Sequence, residues 1–137
     1  MSASLLIVAS AAVIFVLGLI HLLYTFRGHK LHPRDAGLEE QMKTVSPVLT
    51  RQTTMWKAWV GFNASHSCGA LLFGAVYGYL GLAHDEFLFD SPFLLALGAL
   101  LLAGYAVLGK LYWFSVPYHG IVLSCILYSA GLVARLI

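Results

Sequence analysis

Charge is scarce in this sequence. Lys, Arg, Asp and Glu together make up 10% of its 137 residues, where a soluble domain carries roughly 25%. That deficit excludes an ordinary water-soluble domain, because too little polar surface exists to wet its exterior. With 60% apolar residues and a mean hydropathy of +0.84, the chain must share its solvent with lipid. The net charge of +2 is small and its basic residues form no nucleic-acid footprint. Acidic residues are missing from every long apolar stretch, which disfavours a carboxylate-bridged di-iron centre. No HExxH zinc signature occurs. Cysteine is limited to Cys68 and Cys125, both inside apolar stretches, where packed free thiols are expected rather than a disulfide.

What is present is four apolar stretches, at about 3–26, 58–83, 92–114 and 118–137. Each reaches or approaches the roughly 20 residues that a helix needs to cross the hydrocarbon core. Strands are excluded by length and by the lack of period-two alternation, and a lipid-exposed backbone must bond within itself. The first stretch has no basic segment before it and is longer than the ~7–15 residues of a signal-peptide core, so it is read as a true span. The expected fold is therefore all-α: one domain, residues 1–137, forming an integral membrane four-helix bundle.

Helix starts carry recognisable signals. Ser46-Pro47 and Ser91-Pro92 pair an N-cap candidate with proline at the first helical position. The second helix is accordingly expected to begin as early as residue 47, and Pro117 to open the fourth. Between the first two spans, residues 35–45 place Leu38, Met42 and Val45 on one face, as in a short helix lying on a membrane surface or against the bundle.

Basic residues set the expected orientation. Arg27, Lys30, Arg34, Lys43, Arg51 and Lys57 lie in or beside the first loop, and Lys110 near the end of the third span. The second loop carries Asp85, Glu86 and Asp90 without a cation. The positive-inside rule then puts the long loop between helices 1 and 2 in the cytoplasm and both termini outside, with Arg135 dissenting. Small residues recur every four positions in the second span, as Gly61, Ser65, Gly69 and as Ala70, Gly74, Gly78. Such rows serve helix packing within the chain, or a homo-oligomer or larger membrane complex. The tryptophans and tyrosines near the ends of the spans suit an interfacial belt.

Threaded on these spans, the histidines fall mostly at one end. His21 lies six residues inside Arg27 and His66 nine residues beyond Lys57, about 9 and 13 Å deep at the helical rise. His119 begins the fourth span, while His29 and His32 are expected in solvent in the loop; His84 lies at the opposite end. Asn63 sits one turn before His66, and Ser65 and Ser67 add hydroxyls. Ionisable groups in spans are costly and point to function. The candidate ligand-binding set is His21, Asn63, His66, Lys110 and His119. His21 and His66 are the candidates for axial ligation of haem b or for a metal ion. A quinone or lipid head group held by Asn63, His66, Lys110 and tyrosine hydroxyls is a further alternative. A further reading is a membrane enzyme acting on a lipid-like substrate with His66 as general acid/base, and another is a structural accessory subunit.

The segments HLLYTFRGHKLHPRD (21–35), WKAWVGFNASHSCGALLFG (56–74) and YWFSVP (112–117) resemble a family of small four-span bacterial inner-membrane proteins. The resemblance implies the fold and a bacterial inner-membrane location, and it brings no particular activity.

Overall fold

The computed structural model describes residues 3–137, and every regular element among them is helical. In chain order these are α1 (Ala3–Phe26), α2 (Ala36–Thr44), α3 (Met55–Ala83), α4 (Asp85–Phe89), α5 (Pro92–Tyr112) and α6 (Ser115–Leu136). Helices α1, α3, α5 and α6 have 24, 29, 21 and 22 residues and are long and apolar enough to span a bilayer, so the chain is a membrane protein.

Local chemistry explains most boundaries. Helix α1 ends where Arg27 N–H bonds Leu23 O (2.8 Å) and Gly28 takes φ +80°, a left-handed residue just past the helix. Asp35 caps α2, its carboxylate accepting from the Gly37 and Leu38 amides. Ser91 Oγ accepts from Leu94 N–H with Pro92 in the first turn, as expected for α5. Ser46-Pro47 does not start α3. Thr50 N–H bonds Pro47 O to close a turn, and the cap is Thr54, whose hydroxyl accepts from Lys57 N–H (3.3 Å). Helix α6 starts at Ser115, two residues before Pro117, and tolerates it because first-turn amides have no intrahelical partner. The short α4 had no signal in the hydropathy pattern.

The chain forms two compact units. Among the described residues the first comprises 3–17 and 70–137, the second 18–69.

In the first unit the four long helices close a ring of contacts. The serine pair Ser10 and Ser124, both fully buried, joins α1 to α6: Ser10 Oγ bonds Ser124 O at 2.9 Å and Ser124 Oγ bonds Ser10 O at 3.0 Å. Each hydroxyl thus bonds the partner helix's carbonyl. The expected Ala70, Gly74, Gly78 row packs on α1. A Cβ at Gly74 would lie 2.8 Å from Ala11 O and 2.9 Å from Phe15 Cα, so the glycine permits near backbone contact. Tyr77 OH reaches from α3 to Leu94 O at 2.6 Å, and Tyr128 OH from α6 to Leu95 O at 3.0 Å. Both rings converge on Gly98 of α5, where any side chain would strike the Tyr128 hydroxyl and come within 2.8 Å of the Tyr77 ring.

The second unit is the C-terminal end of α1, helix α2 with its flanking loops, and the first half of α3. Gly61, in the other small-residue row, faces open space there.

Replacing Gly98 by alanine is expected to destabilise the protein by about 1–3 kcal/mol through overpacking. Gly104→Ala, where an added Cβ meets nothing within 4 Å, should be neutral or stabilise by up to about 1 kcal/mol. Thermal unfolding in bicelles compares the two; equal stabilities would contradict the tyrosine–glycine contact.

Candidate functional site

A helix exposes side chains three positions apart on one face, so Asn63 and His66 of α3 project together. In the second unit they meet His21 of α1. His21 Nε2 lies 2.9 Å from Asn63 Oδ1, and the His21 and His66 rings touch edge to face with centroids 5.4 Å apart. The Asn63 amide is oriented by its own helix: Nδ2 donates to Trp59 O at 2.8 Å, which turns Oδ1 towards His21. A carbonyl oxygen can only accept, so His21 must donate through Nε2–H. In its neutral form the ring is thereby held in one tautomer, with its lone pair on Nδ1. Thr25 Oγ1, one turn along α1, donates to His21 O at 2.9 Å.

The neighbouring serines do not enlarge this polar set. Ser65 Oγ donates to Phe62 O and Ser67 Oγ to Asn63 O, both back-bonds within α3. Lys110 and His119 belong to the first unit, where both are exposed. Lys110 Nζ sits 5.5 Å from the Tyr118 ring centroid, and the His119 ring is 5.8 Å from it. Of the five candidates, the structure joins His21, Asn63 and His66.

Beside this trio runs a shallow, open-sided cleft lined by Thr25, Leu31, His32, Trp56, Trp59, Val60 and Asn63. Trp59 Nε1–H donates to Leu31 O at 3.0 Å and ties the loop to α3. His32, expected in solvent, is half-buried: its ring packs on Trp56 at 4.8 Å and its Nδ1 lies 3.0 Å from Glu39 Oε2. His29 is exposed, its ring 4.7 Å from that of His32. Lys43 bonds both Glu39 and Glu40 at 2.8 Å. The Lys43 ammonium, then His32, hold the Glu39 carboxyl below its ordinary range, and the same pairing raises Lys43. Sequence spacing did not show this clasp. Only the HxxH spacing and the Glu39–Lys43 i,i+4 pair hinted at it.

Cys68 and Cys125 are free thiols, Cys68 exposed and Cys125 half-buried with Sγ 3.7 Å from Leu102 O. Among the described residues no group of three or more His, Cys, Asp or Glu side chains is placed to hold a metal ion. No family model, curated protein or solved structure matches this chain.

Because its folded pKa is depressed, Glu39 stabilises the clasp fully above its ordinary value of 4.5, and that contribution is lost as pH falls through the lowered folded value. The amide chemical shifts of α2, followed by NMR during acidification, should therefore stay native below 4.5 before they move. Glu39→Gln should remove this transition; an identical titration in both proteins would contradict the clasp.

Proposed function

We propose that this protein binds the head group of a quinone-type membrane amphiphile in the cleft beside His21, Asn63 and His66. The observation that supports this most is the tautomer-fixing contact from Asn63 to His21 within an apolar helix pair, next to a cleft walled by two tryptophans. Binding sites for such molecules are mostly apolar, with a few placed polar groups. Here the indoles of Trp56 and Trp59 offer flat surfaces to a ring, while Asn63, His32 and Thr25 offer polar atoms. His21 stands behind Asn63, whose amide lines the cleft, and holds that amide in place.

Contact chemistry favours this ligand over the alternatives. The cleft is shallow and open-sided, so a head group would lie against Trp56 and Trp59 from outside while its tail stays in lipid. A haem between His21 and His66 would need the macrocycle between two rings that already touch. A zinc site would need three or four protein ligands, and this place supplies two imidazoles. In this proposal the long loop faces the cytoplasm of a bacterial inner membrane, as its cations favour, and the ligand enters from the adjoining leaflet.

A short-tailed benzoquinone titrated against the purified protein should quench tryptophan fluorescence saturably. His21→Ala and Asn63→Leu should each weaken binding about tenfold, or ~1.4 kcal/mol, with Gly104→Ala as the unaffected control. Linear, non-saturating quenching that is the same in all four proteins would refute the site. Conversion of the quinone that vanishes in His66→Ala would replace binding by catalysis.

A further inference from the structure

A loop that leaves aliphatic side chains wholly in the open needs a partner that removes them from water, since exposed apolar surface is disfavoured. The connection from α2 to α3 is such a loop. Its ends are pinned where Met55 N–H bonds Val45 O at 2.8 Å, so residues 45–55 form a closed excursion resembling an Ω-loop. Within it Thr50 N–H bonds Pro47 O at 3.2 Å, which places Val48 and Leu49 at the two central positions of a turn. Gln52 N–H bonds Thr50 Oγ1 and stiffens the returning limb. The tip is therefore a held shape carrying two aliphatic side chains that are 109% and 94% exposed.

Its charge and attachment identify the partner. From residue 41 to residue 84 the sequence holds Lys43, Arg51 and Lys57 and no acid. Lys43 is engaged by Glu39 and Glu40, which leaves two exposed cations, Arg51 two residues after Leu49 and Lys57 in the first turn of α3. The base of the loop is the first residue of the α3 span, followed at once by Trp56 and, one turn on, Trp59, residue types that settle at head-group level. Aliphatic tip, flanking cations and neighbouring indoles match a negatively charged lipid surface.

We infer that the Val45–Met55 loop is a membrane-surface anchor, with Val48 and Leu49 inserted among the acyl chains and Arg51 and Lys57 on the phosphates of anionic lipid. The loop fastens the α2 segment to the leaflet independently of any ligand in the cleft. Each cation removed should weaken insertion about fivefold.

The test uses the full chain in nanodiscs, with a nitroxide at Val48→Cys in a Cys68→Ala, Cys125→Ala background. In phosphatidylglycerol-containing discs the label should be accessible to oxygen and shielded from an aqueous nickel chelate. It should move outward in pure phosphatidylcholine and in Arg51→Gln, Lys57→Gln protein. Leu49→Trp, quenched by brominated lipid with both cysteines kept, should report the same depth dependence should the cysteine-free protein not fold. A label equally open to the nickel chelate in all discs would overturn the anchor. So would one shielded from both reagents, which signals a covering protein, or one whose depth ignores lipid charge.

Discussion

A polar group carried into hydrocarbon has no water to turn to, so its partner must lie within the chain. Most of the helix contacts in this protein follow from that constraint. Among the described residues no buried side-chain nitrogen or oxygen lacks a hydrogen-bond partner. In the first unit, serines and tyrosines bond carbonyls of other helices. Ser10 and Ser124 do so reciprocally, and Tyr77 and Tyr128 bond successive carbonyls of α5 above Gly98. Lipid supplies no hydrophobic drive between helices, so such bonds and the glycine approaches that admit them select the packing. Each is modest, averaging about 0.6 kcal/mol in membrane proteins, and their effect lies in fixing position as much as in stability.

The second unit obeys the same constraint with a different outcome. There the paired groups are titratable or amide-bearing, and pairing leaves chemistry over. Asn63 occupies its amide nitrogen on its own helix and so holds His21 in one tautomer, while His66 meets His21 edge to face. A hydroxyl that donates to a carbonyl has spent its only proton and can then only accept, whereas an imidazole with one nitrogen engaged still has a second ring nitrogen. That difference separates the structural contacts of the first unit from the candidate site of the second. The clasp among His32, Glu39 and Lys43 then holds the loop residues Leu31 and His32 that form one side of the cleft.

Hydropathy made the four spans legible, and the first coincides with α1 because nothing competes with its uninterrupted apolar run. An apolar face at helical spacing located α2, and capping chemistry located α5. The start of α3 was misread because Ser-Pro serves turns as readily as helix starts, and a threonine cap eight residues later took that role. The pairing of His21 with Asn63 was accessible only in part. Depth along the helices brought Asn63, His66 and His21 to similar levels, but depth says nothing of rotation about each helix axis, which decides who touches. Lys110 and His119 were selected on depth alone. The role of His32 was hidden because it depends on a loop path that no periodicity describes.

The central claim is that Asn63 sets the protonation geometry of His21 inside the membrane. Solid-state ¹⁵N NMR of histidine-labelled protein in lipid bilayers reads this directly, since the two ring nitrogens have distinct shifts in each tautomer. His21 is predicted to carry a proton at Nε2, and to lose that preference in Asn63→Leu. A His21 ring protonated at Nδ1 alone, or a spectrum unchanged by Asn63→Leu, would contradict it.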